Sequence, residues 1–394
     1  MQIPVVSIDS VAYRQLTVVP LNIVKYNIFA EPGKGPTLYG TESPLYYLLN
    51  GALAFNIILP MALVAAPAIL LTAFVDRRRY GSLLSDKVQN SSSILTVLFW
   101  KIAPLYVWLA VITAQPHKEE RFLYPIYGHI ALAAAITLFL ARGWFETAFI
   151  KVTKSPYRAT QTVIFTTFTR SVLFVSSVLS IARIFAIYHY YHAPMGIYDY
   201  FAHQELARVA VRSFPDRYPA LDPTLPERNF TIALEKAPFQ MDLSMLAALD
   251  LRLCVGSEWH RFPSHFFVPS AVDFAYVKSD FDGILPRKWQ VADDQPVLGG
   301  ATAVVPPNMN DMNREEADRY VDIETCDYLV DLDFPHRANA QSYVQDKATW
   351  EALKCLPFLD AEASPRLTRV LWLPVEEWQS KNVFGDYCLL KRRV

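Results

Sequence analysis

The chain has 394 residues, 52% hydrophobic, 13% aromatic and 19% charged, with a mean hydropathy of +0.16 and a formal net charge of −1. That apolar content exceeds what an ordinary soluble domain carries, and the lack of a dense basic surface excludes a nucleic-acid-binding role. The charge divides along the chain: residues 1–188 hold 16 Lys and Arg against 8 Asp and Glu, and the remainder holds 21 against 30.

The first residues, MQIPVVSIDS, have no basic region leading into an apolar one, so no signal peptide is read there and the first true span must direct insertion. Residues 1–45 form a luminal or interfacial segment. Leu16 to Ala30 is apolar but short, and Pro20, Asn22, Lys25 and Asn27 interrupt it. A Gly/Pro-rich turn, EPGKGPTLYGTES, follows. Residues 46–188 hold about four spans, within 46–75, at 94–114, at 122–141 and within 163–188, each with the ~20 apolar positions that a bilayer core requires. Lys101 and Arg170 lie near the cytoplasmic ends of their spans and are expected to snorkel. Arg183 lies near the opposite end of the fourth span, where it meets either the interface or a lipid phosphate.

Short-loop charge sets the topology. Asp76, Arg77, Arg78, Arg79 and Lys87 follow the first span, and Arg142, Lys151, Lys154 and Arg158 follow the third, so both loops are cytoplasmic. Residues 1–45, the loop at 115–121 and residues 189–394 then lie on the other side. All four cysteines fall in that last part, as an oxidising compartment favours, with three pairings open. The sequon Asn229-Phe230-Thr231 lies there too and predicts a glycan on Asn229, whereas Asn90-Ser91-Ser92 would be cytoplasmic and unused.

Gln115-Pro116-His117-Lys118-Glu119-Glu120-Arg121-Phe122 places five titratable residues in succession between two spans. Interfacial anchoring is the ordinary role of such charges, but four consecutive charges beside a His exceed what anchoring needs. The alternative is a polar site for an anionic, lipid-borne substrate. Arg121 offers a planar donor fork suited to phosphate, His117 a second contact and Lys118 a point charge. Glu119 and Glu120 orient these cations. Asp9 and Tyr13 are candidate membrane-proximal substrate contacts, against a purely structural polar loop. Glu42 sits where a helix starts, so capping is its competing role.

Beyond residue 189 a Pro-containing aromatic connector at 190–225 leads into a small α/β domain. CDYLVDLDF and RLTRVLWLPV read as strands, with Asp331 and Asp333 alternating against Val330 and Leu332. Glu258, Trp259, Arg261 and Phe262 cluster aromatic and charged groups, suited either to glycan contact or to the domain core. No metal-ligand spacing and no Gly-rich nucleotide loop is present in the sequence.

SIDSVAYRQLTVVPLNIVKYN, LYGTES with Leu49-Asn50-Gly51, and QPHKEERFLYPIY together resemble the endoplasmic-reticulum mannosyltransferases that use dolichyl-phosphate mannose (glycosyltransferase family 22). CVGSEWHRFPSHFFVP, VPPNMNDMN, YVDIETCDYLVDLDF and KCLPFLDA are similar to the α-1,2-mannosyltransferases of lipid-linked oligosaccharide assembly, and the resemblance covers essentially the whole chain. It implies a polytopic α-helical membrane protein, the carboxy-terminal part of a GT-C type glycosyltransferase, with a small luminal α/β domain. It also implies transfer of mannose, with inversion and without metal or cofactor, from dolichyl-phosphate mannose to dolichyl-pyrophosphate-linked acceptors at the Man6 and Man8 stages. The partners are then those two lipids and the bilayer. The acidic residue that the family uses as base is expected upstream of Met1, which leaves Asp9 and Glu42 as the carboxylates to consider and predicts that this chain inserts without catalysing transfer. A lipid-linked glycan transporter and a non-catalytic membrane subunit are the competing classes.

Overall fold

The structure, a computed structural model, describes residues 2–31, 33–75, 94–239, 241–261, 267–287, 307–335 and 342–393. The basic loop at 76–79, Lys87, the Asn90 sequon, Phe262 and residues 305–306 of VPPNMNDMN lie outside the described residues. The chain divides into two compact units, Asn22–Ile184 and Met1–Leu21 with Phe185–Val394.

Helices α1 (Gln2–Ala12) and α2 (Val19–Ile28) open the chain. The 46–75 stretch is helical in three pieces, α3 (Tyr46–Phe55), α4 (Ile58–Leu63) and α5 (Ala65–Val75). It is broken at Asn56, whose φ is 43°, and again at Val64. Three helical stretches among the described residues are long and apolar enough to cross a membrane: α6 (Ile94–Ala114); Glu120–Thr153, which joins a 3-10 turn at Glu120–Ile126 to α7 (Tyr127–Thr153); and, past the short α8 (Pro156–Gln161), α9 (Ile164–Tyr191). The expected first span therefore differs from the other three in being discontinuous.

Its breaks have visible compensation. A helix interruption in lipid frees backbone groups that water cannot satisfy. Pro67 lacks the N–H that would reach Leu63; Tyr106 of α6 donates its hydroxyl to the carbonyls of Ala62 (3.0 Å) and Leu63 (3.3 Å) and accepts from the Ala66 N–H (2.9 Å). Thr137 of α7 caps the Met61 carbonyl at 2.7 Å. At the first break the Asn56 amide donates to Ser180 Oγ (3.0 Å) and the Ser176 carbonyl (3.3 Å), while its oxygen accepts from Ser176 Oγ (2.9 Å) and the Ile57 N–H (2.7 Å). Around these clamps Leu59, Ala62 and Ile69 pack with Ile130, Ala133 and Ala134 of α7. Small residues let the backbones approach where no hydrophobic force draws helices together. Outward-facing Trp100, Val107, Phe174 and Ile184 leave an apolar exterior.

The second unit centres on a five-stranded sheet in the order β2-β1-β3-β5-β4, formed by β1 (Arg252–Val255), β2 (Asp273–Tyr276), β3 (Tyr328–Asp333), β4 (Trp350–Leu359) and β5 (Phe384–Arg392). β1 runs parallel to β2 and β3, and β5 antiparallel to β3 and β4. Strand alternation assigns Tyr328 and Val330 to one face, where they meet Tyr198, Phe201 and Phe230; these come from helix α10 (Ala193–Tyr200), the π turn Phe201–Glu205 and α12 (Glu227–Lys236), with α11 (Leu206–Ser213) beside them. Leu329 faces the other way, among Trp350, Leu390 and the cysteines. Of the three pairings left open, the structure makes Cys254–Cys326 and Cys355–Cys388.

CDYLVDLDF forms β3 as expected. RLTRVLWLPV does not form a strand: its first half is helix α13 (Arg366–Val370), and irregular chain follows, ahead of the short α14 (Glu376–Gln379). Pro365 sets the helical entry, and Thr368 is buried to exchange hydrogen bonds with Asn382 (2.6 and 3.1 Å). These tertiary contacts outweigh the strand preference of an alternating apolar run.

Candidate functional site

The charged motif lies between α6 and α7, where Pro116 and the extended Glu119 stop one helix and the 3-10 turn begins the next. Here the order of side chains is set by the backbone. The Glu42 N–H donates to the Pro116 carbonyl at 3.0 Å, joining the strap before α3 to the motif. Lys118 points inward and is 5% exposed. Its ammonium donates to the carbonyls of Glu42 (3.2 Å) and Gln115 (2.5 Å). The point charge expected to face substrate is thus spent on closing this loop.

His117 is nearly buried, 6.5 Å from the Tyr39 ring and 6.1 Å from the Phe122 ring. Its Nδ1 lies 2.9 Å from the Gly40 carbonyl and its Nε2 3.0 Å from Glu119 Oε1. Both ring nitrogens therefore face oxygen atoms of the loop and its strap. Glu119 also takes the Arg121 fork, from Nε at 2.5 Å and Nη2 at 2.7 Å. A guanidinium carries five N–H donors in one plane; Glu119 engages one edge, and the Arg121 side chain remains 66% exposed. Its carbon lies 5.8 Å from the Phe122 ring centre, within cation–π range. Glu119 thus contacts both His117 and Arg121, whereas Glu120 is exposed and makes no ion pair among the described residues.

Several expected residues sit elsewhere. Glu42 enters through its backbone and does not cap α3, whose N-cap position is Leu45 without a side-chain bond. Asp9 lies in α1 and Tyr13 just after it, in the other unit. Arg183 lies in α9, eight residues before its end. Gly40 and Tyr39, which sequence reasoning did not single out, complete the His117 pocket; the only cue was their place in a Gly/Pro-rich turn.

In the sheet unit, Glu258 is 5% exposed and ion-paired with Arg261, whose guanidinium covers the Phe358 ring at 4.4 Å. That pair belongs to the domain core. Trp259 packs on Phe281 at 4.5 Å between ring centres, and both border a cavity of about 480 Å³ with His260, Asp280, Asp331 and Asp333. Burial, reinforced by the Glu258 charge, pushes the Asp331 carboxyl up to about 6 against the opposing hydrogen bonds of its neighbours' N–H groups. Asn229 is exposed in the first turn of α12, and the sequon's Thr231 hydroxyl accepts from Gln204 at 2.7 Å and donates to the Glu227 carbonyl at 2.9 Å.

The arrangement in the helical unit is an exposed guanidinium, fixed on one edge by a carboxylate and backed by an imidazole, between two helices able to cross a membrane. The free edge of such a guanidinium has the donor geometry that suits a phosphate oxygen.

Comparison with known proteins gives the arrangement a family. The sequence model of the Alg9-like mannosyltransferase family matches residues 1–269. Alpha-1,2-mannosyltransferase ALG9 of Mus musculus is 35% identical over 393 residues, covering 99% of this chain and 55% of its own length. The Schizosaccharomyces pombe alg9 enzyme is 33% identical over 379 residues, 94% of this chain and 55% of its own. ALG9 of Saccharomyces cerevisiae is 29% identical over 408 residues, with coverages of 98% and 59%. No solved structure matches the chain, which spans about half the length of the curated relatives it matches. The chain belongs to the Alg9-like mannosyltransferase family.

Proposed function

We propose that the protein transfers mannose in α-1,2 linkage, with inversion, from dolichyl-phosphate mannose to dolichyl-diphosphate-linked oligosaccharide, at the Man6 and Man8 stages of N-glycan assembly. It works in the endoplasmic reticulum membrane, with the sheet domain in the lumen. The observation that carries this reading is the Glu119-anchored Arg121 fork at the mouth of α7. Relatives named as α-1,2-mannosyltransferases support the linkage, and two disulfides support an oxidising lumen.

In the chemistry proposed, the C1–O bond to the lipid phosphate breaks as the acceptor hydroxyl forms the new glycosidic bond from the opposite face. Negative charge grows on the departing phosphate, and Arg121 meets it with donors already aimed, which costs no reorganisation during transfer. His117 and Glu119 hold the fork in place, and Lys118 holds the loop. Trp259 offers its ring face to acceptor glycan, Tyr13 and Arg183 are further membrane-proximal contacts, and a carboxylate takes the hydroxyl proton. Asp9 and Glu42 are the candidates within this chain.

The test is complementation. The gene product, expressed in cells that lack their own family member, should return the lipid-linked glycan from Man6 to Man9, and the Arg121→Ala form should leave it at Man6. Restoration by the Arg121→Ala form removes the proposed phosphate contact; no restoration by the 394-residue chain upholds the expectation that it inserts without catalysing transfer and removes the activity from this chain.

A further inference from the structure

A cavity of about 780 Å³ lies in the sheet unit, with a lining that does not include Trp259. It opens between the π turn with α11 on one side and the ends of β4 and β5 on the other. Arg208, Arg212, Lys391, Arg392 and Arg393 line it, against two carboxylates, Glu205 and Glu351. Five cations in one cleft repel one another and need counter-charge.

The described residues supply little of it. Glu205, 4% exposed, is already used: it accepts from the Tyr328 hydroxyl at 2.9 Å and from Lys391 at 3.1 Å. Burial and the Glu205 charge hold Tyr328 far above the usual phenol range, so it stays a donor. Arg208 is fixed by neutral groups, the Pro223 carbonyl at 2.5 Å and the Phe230 ring at 4.2 Å. Arg392 is fixed likewise, by the carbonyls of Ile323 (2.9 Å) and Cys326 (3.2 Å) and the Trp350 ring at 5.3 Å. Arg212 and Arg393 are exposed and form no ion pair among the described residues. Four guanidiniums thus face one cleft with no carboxylate partner among the described residues, two of them held rigid by contacts that leave their charge intact.

The local backbone is also unusual. Phe201–Glu205 is a π-helical turn between α10 and α11, a rare form that recurs at functional sites. It seats Glu205 under Lys391 while the following turn of α11 carries Arg208 and Arg212 on one side. Tyr200 lies nine residues beyond the end of α9, so the cleft begins no more than ~30 Å of chain from a helix able to cross a membrane.

We infer that this cleft is an anion site for a diphosphate-class group. Planar guanidiniums match phosphate oxygens two at a time, and the cleft is too large and too polar for a single small anion. The chemistry is shared by two sources, a polyprenyl diphosphate headgroup and a water-soluble diphosphate. The inference does not rest on the mannose-transfer reading, since it concerns binding without a sugar donor.

The full chain, purified in neutral phosphatidylcholine nanodiscs, is titrated calorimetrically with inorganic diphosphate and with a short-chain polyprenyl diphosphate, at low and at moderate salt. Saturable binding that weakens with salt is expected, as screening demands. Replacing both exposed groups (Arg212→Gln with Arg393→Gln) weakens it by at least roughly tenfold, as loss of charged hydrogen bonds implies, while Arg212→Lys with Arg393→Lys retains most of it. Tighter binding of the polyprenyl form assigns the source to a lipid carrier, and equal binding assigns it to a soluble anion. No saturable binding, or binding indifferent to salt and to the glutamine pair, overturns the inference, whether or not mannose transfer occurs in a separate assay.

Discussion

Single residues here divide between holding and binding. Lys118 and Arg121 stand three positions apart, yet one donates only to backbone carbonyls and the other keeps most of its surface open. Lys118→Met is therefore expected to reduce the yield of folded protein, because it leaves two carbonyls unsatisfied at about 1–3 kcal/mol each. Arg121→Ala is expected to fold normally, and detergent-solution melting of the two variants separates them. Asp331 gives a second test. Burial pushes its carboxyl up to about 6, above its ordinary value of 3.8. The favourable contribution of its protonated form is complete below the lower value and is lost as pH rises through 6, a difference of about 3 kcal/mol at 1.36 kcal/mol per unit. Asp331→Asn should raise the melting temperature at pH 7.5 more than at pH 4 and flatten the pH dependence between. An equal effect at both pH values would show that the carboxyl is not held up by burial. The motif itself was legible in the sequence because its charges are consecutive. The inward turn of Lys118 was not, since nothing in HKEERF tells which cation meets a carbonyl from a strap 76 residues away.

At the scale of elements, long apolar helices were readable and their interruptions were not. Composition marks 46–75 as a span, but the break at Val64 depends on Tyr106, 40 residues further on, receiving the freed backbone groups. Tyr106→Phe is expected to cost about 1–2 kcal/mol in unfolding from detergent micelles, at the upper end for hydrogen bonds between membrane helices. The same change at the exposed Tyr124 should cost little. The sheet unit makes the complementary case. β3 was legible from its alternation, whereas α13 was missed because Thr368 pairs with Asn382 across 14 residues. Disulfide pairing was likewise beyond the sequence, as spacing alone leaves three choices. Reduction should lower the melting temperature of this unit. Removing Cys254–Cys326, which closes a separation of 72, should cost more than removing Cys355–Cys388, which closes 33, because loop-closure entropy grows with length. Equal losses in the paired Cys→Ala variants would point to native-state packing instead.

For the whole molecule, the family and the division into a helical part and a sheet-bearing part were legible from motifs and from the uneven placement of apolar and charged residues. The cationic cleft was not, since its residues come from positions 200–212, 351–353 and 391–393 and meet through the antiparallel pairing of β4 with β5 and the packing of α10 against both. The central claim remains the use of Arg121 as the phosphate contact in mannose transfer. Its most direct test is transfer from dolichyl-phosphate mannose to a lipid-linked Man6 acceptor in membranes carrying the parent, Arg121→Lys or Arg121→Ala protein at equal abundance. Product identity is checked by sensitivity to an α-1,2-mannosidase. A contact made mainly as the phosphate departs predicts a fall of roughly 10²-fold in kcat for alanine with a smaller change in donor KM, and partial recovery for lysine. Turnover of the alanine form within about twofold of the parent would contradict it and return Arg121 to the role of an interfacial anchor.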